Sequence, residues 1–143
     1  MMRPAAILAL ATLVGLAPRV APAQHVTGCD GWQTSARNID WSDPTRTFAN
    51  DAIRLVGLDT AEPAAAAFHI MVTYPDAEGA FLDCRLISLG EGVGFGAISL
   101  ERAIAAYDSV RGLTVTVPGL SADGEALVIT FSVNRVTGEV TVP

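Results

Sequence analysis

Hydrophobic and polar positions alternate with a period of two over much of the chain, and that alternation is the signature of strands with one buried face. It is clearest in residues 66–74, where Phe68, Ile70, Val72 and Tyr74 share one face and Ala67, His69, Met71 and Thr73 the other. Turn residues Pro75 to Gly79 follow, and Phe81 to Leu89 resumes with Leu82, Cys84 and Leu86 on one face, so the two runs predict an antiparallel hairpin. Ala52 to Leu58 reads as an earlier strand, broken by Asp59 to Pro63. In the C-terminal third, Leu113, Val115 and Val117 alternate with threonines, and Leu127, Ile129, Phe131 and Val133 alternate with smaller or polar neighbours. Asp123-Gly124 and Thr137-Gly138 mark turns, the second leading into a short strand over residues 139–142. Adjacent strands joined by short turns predict an antiparallel meander.

One segment has a different period. Leu100, Ala103, Ile104 and Tyr107 follow the spacing of a core-facing helical stripe, with Ser99 as N-cap, Glu101 in the first turn and Gly112 beyond the end. The expectation is therefore an α+β, mainly β domain: an antiparallel sheet of about five to six strands, hairpin plus C-terminal meander, with one packed helix. It occupies residues 51–143, and residues 24–50, punctuated by Gly28, Gly31, Asn38, Asp43-Pro44 and Asn50, form an irregular leader packed on it.

The N-terminus reads as an export signal, with Arg3, an uncharged apolar run from Ala5 to Ala17, helix-breaking Pro18 and Pro22, and the small-residue triplet Ala21-Pro22-Ala23. Residues 1–23 are then a signal peptide, cleaved between Ala23 and Gln24, and the run is shorter than the roughly 20 apolar residues of a membrane span. Val26-Thr27-Gly28-Cys29 resembles the lipobox of bacterial lipoproteins, but Arg19, Gln24 and His25 separate the apolar run from the cysteine. After cleavage, seven arginines face fifteen acidic residues, a net charge of −8. That balance argues against nucleic acid and anionic lipid as partners. All nine basic residues are arginine, a bias of GC-rich bacterial genomes that points to the periplasm. Cys29 and Cys84, the two cysteines of the exported chain, are expected to form a disulfide that ties the leader to the second hairpin strand.

Candidate chemistry is sparse. Gly92 to Ala97 satisfies a loose dinucleotide fingerprint, but the next strand ends in Pro118-Gly119 instead of an acidic residue, so the glycines read as a closely approached connection. His69 stands beside Met71 and His25 near the new N-terminus, without a cluster of further metal ligands. The carboxylates Asp40, Asp43, Asp51, Asp59, Glu62, Asp76, Glu78, Asp123 and Glu125 are mostly turn residues or solvated charges and match no calcium loop. No nucleophile motif is present. Trp32 and Trp41, with Arg37 and Arg46 nearby, either form a recognition surface for a protein or glycan or lie buried as anchors; the tendency of an unanchored leader to fray favours the anchors.

The stretches at residues 29–38 (CDGWQTSARN), 45–50 (TRTFAN) and 58–66 (LDTAEPAAA), with Asn134 and Thr137 to Val140 as an echo, resemble an uncharacterised family of small exported alphaproteobacterial proteins. The resemblance implies a bacterial, periplasmic protein and carries no activity, cofactor or catalytic residue. The expectation is a small exported binding or interaction module, monomeric or weakly dimeric, without catalytic site, cofactor, metal or membrane span. The alternatives are a small periplasmic enzyme with a carboxylate-based site and an envelope component lipid-anchored through Cys29.

Overall fold

In a computed structural model, which describes residues 24–62 and 66–143, ten strands build two antiparallel sheets of five. The predicted signal peptide, with Ala23 of its cleavage site, lies outside the described residues. The first sheet holds β1 (His25–Thr27), β2 (Thr45–Phe48), β3 (Ile53–Asp59), β4 (Phe68–Pro75) and β5 (Leu82–Ser88), in the order β1-β5-β4-β3-β2. The second holds β6 (Ala97–Ile98), β7 (Ile104–Asp108), β8 (Gly112–Leu120), β9 (Ala126–Asn134) and β10 (Glu139–Thr141), in the order β10-β9-β8-β6, with β7 also pairing β8.

The period-two alternation explains how the sheets meet. In register, Ile70 faces Ile87 and Leu55 faces Val72, which puts Ile53, Leu55, Ile70, Val72, Tyr74 and Ile87 on one face. Val115 and Val117 of β8 and Ile129, Phe131 and Val133 of β9 alternate in the same way. All of them are buried in one hydrophobic cluster, joined by Phe95, Leu100 and Ala103 from the connections. The two inner faces therefore close on each other as the layers of a sandwich.

The first sheet is also covered on its outer face. Leu58 and His69 are paired neighbours there, and together with Leu86 and Ser88 they are buried outside the central cluster. The leader runs through two 3₁₀ turns, Trp32–Thr34 and Ala36–Asn38, and is tied to this face by the Cys29–Cys84 bond. Buried Asn38 donates its side-chain amide to the Trp32 and Gln33 carbonyls, each at 3.0 Å. Ile39 bridges Leu58, and the Asp40 N–H donates to the Gly57 carbonyl at 2.8 Å. Cys29 is bonded to Cys84 with the Cα atoms 5.8 Å apart, an ordinary disulfide separation. Residues 24–50 thus contribute β1 and β2 to the sheet as well as the cover over it.

The predicted helix over residues 99–107 is not there; among the described residues the only helical elements are the two 3₁₀ turns. Leu100 and Ala103 are buried as expected of the stripe, but Ile104 and Tyr107 are 67% and 78% exposed. The chain switches role at Arg102, because the edge of β8 is shared between β6 and β7. Ile98 pairs with Gly119 and Ile104 with Thr116, and Pro118, which lacks an N–H, falls at the gap between them. Its carbonyl accepts from the Ser99 N–H at 2.9 Å, so Ser99 caps no helix. Residues 99–103 pass this gap as a turn closed by the Ala103 N–H on the Leu100 carbonyl. The Asp43 carboxylate caps that turn, accepting from the N–H groups of Leu100 and Glu101. A nine-residue helix is marginal alone, and strand pairing with β8 satisfies the same backbone groups.

Candidate functional site

Four hairpin turns come together at one end of the sandwich: residues 49–52 between β2 and β3, 76–81 between β4 and β5, 109–111 between β7 and β8, and 135–138 between β9 and β10. Side-chain hydrogen bonds brace each of them. Asp76 accepts the Ala80 N–H at 2.9 Å, and Gly79 takes a positive φ of 70° to close that turn. Asp108 Oδ1 accepts the N–H groups of Val110 and Arg111, both at 2.8 Å, and these bonds hold its carboxyl below the usual carboxylate range. Asn134 accepts from the Val136 and Thr137 N–H groups and donates to the Val110 carbonyl at 3.2 Å, which ties the third turn to the fourth.

The β2–β3 turn is the strained one. Ala49, Asn50 and Asp51 all have left-handed backbones, with φ of 55°, 54° and 62°. Each such residue costs on the order of 1 kcal/mol. The turn is held by Thr47, which donates to the Asp51 carboxylate at 2.6 Å, and by Arg54 Nε on the Asp51 carbonyl at 3.0 Å.

Between these turns lies an open cleft of about 660 Å³, within the size range of ligand sites. Its floor is the end of the hydrophobic core, formed by Ile53, Leu113 and Val133. Asp76 and Glu78 line it beside Arg135 and Val136, whose turn lies against theirs at Gly138 and Ala77, and Ala49, Tyr107 and Ser109 complete the lining. Tyr107 and Val136, both largely exposed, add apolar surface to it, and the exposed Val110 and Phe81 belong to two of the same turns. Beside it, Tyr74 donates its hydroxyl to the Gly138 carbonyl at 3.1 Å and to Asp83 at 3.4 Å. Burial, with the Asp83 charge against it and Arg85 partly offsetting, raises the Tyr74 hydroxyl above its ordinary range. Asp83 is lowered, first by the Cys84 N–H and further by Arg85, which pairs with it at 2.7 Å.

The residues singled out in the sequence lie elsewhere. Trp41 is 78% exposed and Trp32 49%, so neither anchors the leader by burial; Cys29, Asn38 and the Ile39 bridge do that instead. Neither tryptophan lines the cleft. The Gln24 side chain accepts the Thr130 N–H of β9 at 3.0 Å. His69 and Ser88 form a buried pair, Nδ1 to Oγ at 2.8 Å, and burial lowers the imidazole pKa. That pair is at the other end of β4 from the cleft. Met71 stays beside it on the outer face, and among the described residues no three His, Cys, Asp or Glu side chains converge on a common point.

The glycine run makes close connections. Gly94 lies against the Ala66 and Phe68 carbonyls, Gly96 against that of Ser121, and Gly92 turns the chain with a φ of 69°. Of the carboxylates marked in the sequence, Asp76 and Glu78 are brought into the cleft. Tyr107, Arg135, Val136 and the Ala49 turn carried no sequence signal for it.

Comparison of the chain with protein-family models, with curated proteins and with solved structures finds no match of any of the three kinds.

Proposed function

We propose that the protein is a small exported, periplasmic, non-enzymatic binding module that takes a segment of a partner protein in the cleft at the hairpin end of the sandwich. The observation that carries this reading is the braced frame itself: four turns held in place by their own side chains around an opening whose floor is apolar core. A preorganised rim binds without first spending free energy on ordering itself. The strained Ala49-Asn50-Asp51 turn at that rim supports a functional role, because such strain concentrates at ligand-binding sites.

The chemistry of the walls describes the ligand. An apolar side chain fits against Leu113, Tyr107 and Val136, and a cationic group is drawn to Asp76 and Glu78, which outnumber the single Arg135 in the lining. The chain's acidic balance acts in the same direction. The buried Ser88–His69 pair lies closed off from solvent at the other end of the sheet, which supports a packing role for it. The Cys29–Cys84 bond supports export without a lipid anchor at Cys29, because a thioether would use the same sulfur. No helix among the described residues is long and apolar enough to cross a membrane.

The test is calorimetric titration with a capped peptide of alternating leucine and arginine, beside its glutamate-for-arginine counterpart. The expected result is binding of the basic peptide, weakened at least about tenfold by Glu78→Lys, a change of roughly 1.4 kcal/mol. Equal affinity for both peptides, or indifference to Glu78→Lys, refutes the assignment.

A further inference from the structure

A sheet edge is an open template for another strand unless something blunts it, and four of the edge strands are blunted. β1 and β10 are three residues long and β6 two. β2 has four, one of them Arg46, whose guanidinium lies 5.7 Å from the centroid of the Phe48 ring. Beyond the end of β10, the Gln24 side chain already occupies the exposed N–H of Thr130. β7 is the exception. It has five residues, Ile-Ala-Ala-Tyr-Asp, of which only Asp108 at its end is charged. It pairs with β8 on one side and, among the described residues, with nothing on the other. Ile104, Ala106 and Tyr107 are exposed.

We propose that the open edge of β7 binds the β7 of a second copy of this chain, antiparallel about a two-fold axis at Ala106, joining the two second sheets into one. Symmetry limits the register. A two-fold axis perpendicular to a sheet must pass beside a residue, so that side chains opposite each other lie on the same face. The axis at Ala106 is the choice that pairs all five residues: Ala106 with its own copy, Ala105 with Tyr107 of the second copy, and Ile104 with Asp108.

The side chains suit that register. Alanines at the axis admit close approach, and the Tyr107 ring covers a small neighbour rather than a second ring. Arg102, exposed in the turn two residues before Ile104, stands at the end of β7 that meets Asp108 of the second copy, and the symmetry makes this pairing twice. These opposite charges offset the repulsion of two chains that are acidic overall. Five residues of new pairing make a small interface, so the dimer is weak, with a dissociation constant on the order of 100 μM.

Sedimentation equilibrium of the protein purified from expression of the 143-residue sequence, run from about 10 μM to 1 mM with no peptide present, tests this surface apart from any cleft ligand. The parent should associate to a dimer across this range. Ala106→Lys sets like charges face to face at the axis and should give a monomer, whereas Ala106→Thr should remain dimeric. Arg102→Glu, on an exposed turn, should raise the dissociation constant at least fivefold, and it gives the same reading if Ala106→Lys does not fold. A parent that is monomeric at 1 mM, or an Ala106→Lys protein that folds and still dimerises, overturns the proposal.

Discussion

Replacing Asp43 with alanine removes the carboxylate that holds residues 99–103 in their turn. Its oxygen accepts from two backbone N–H groups, those of Leu100 and Glu101, more than fifty residues away in sequence. A hydrogen bond to a charged acceptor contributes about 1.5–3 kcal/mol, and loss of a capping side chain costs about 0.5–2 kcal/mol. Asp43 is partly exposed, so water replaces some of what is lost. The Leu100 N–H is worse placed for rescue, because Leu100 is fully buried. The two effects together put the expected loss at about 2–3 kcal/mol. For a domain of this size that lowers Tm by roughly 8–12 °C. Urea unfolding, followed by tryptophan fluorescence and by far-ultraviolet circular dichroism, measures it. Asp43→Asn keeps one acceptor oxygen without the charge and should lose about half as much. If Asp43→Ala stays within about 0.5 kcal/mol of the parent, the carboxylate is not what sets this turn.

Reduction of the Cys29–Cys84 bond, which closes a loop of 55 residues, should cost about 4 kcal/mol in the loop-entropy model and lower Tm by roughly 12–20 °C; a reduced protein melting within a few degrees of the oxidised one contradicts that. His69 is buried and its pKa is lowered, so the unfolded chain takes up a proton that the fold refuses. The stability this group contributes is complete above its unfolded pKa of about 6.5 and is lost as pH falls below that value toward the folded one, at up to about 1.4 kcal/mol per pH unit. His69→Gln should flatten the urea midpoint between about pH 6.5 and 5, and an unchanged slope assigns the acid sensitivity elsewhere. Gly112→Ala should destabilise by about 2–4 kcal/mol, because a Cβ at φ 89° would meet the Val133 carbonyl, whereas Gly92→Ala, at φ 69° in open space, should lose only about 1 kcal/mol. Similar thermal shifts for the two glycine variants would remove the steric part of that argument.

Much of the architecture is legible one strand at a time. The alternation in β4, β8 and β9 places Ile70, Val72, Ile129 and Phe131 inside, and Asp76 to Gly79, Asp123-Gly124 and Thr137-Gly138 close the expected hairpins. A period of two shows which face is inward but not which strands share a sheet, so a single sheet of five or six strands resolves into two of five. One local signal does exist for the leader's role. Leu55 to Leu58 is apolar on both faces, as suits a strand covered on both sides, and Leu58 is buried beneath the leader while Leu55 faces the core. The helical stripe at residues 100–107 misleads because its two halves do different jobs on either side of Pro118, a long-range cause that no local window contains. The same holds for the cleft. Asp76, Ser109, Arg135 and Ala49 each belong to a turn, and only the pairing of four hairpins at one end makes them neighbours.

The central claim is that the hairpin end is the binding face. Heteronuclear NMR of the ¹⁵N-labelled protein, titrated with the leucine–arginine peptide, tests it most directly. The account predicts shift changes at the amides of residues 49–53, 76–80, 107–113 and 133–138, with the leader around Trp32 and Trp41 undisturbed. Changes centred on the two tryptophans, with the four turns silent, would contradict it.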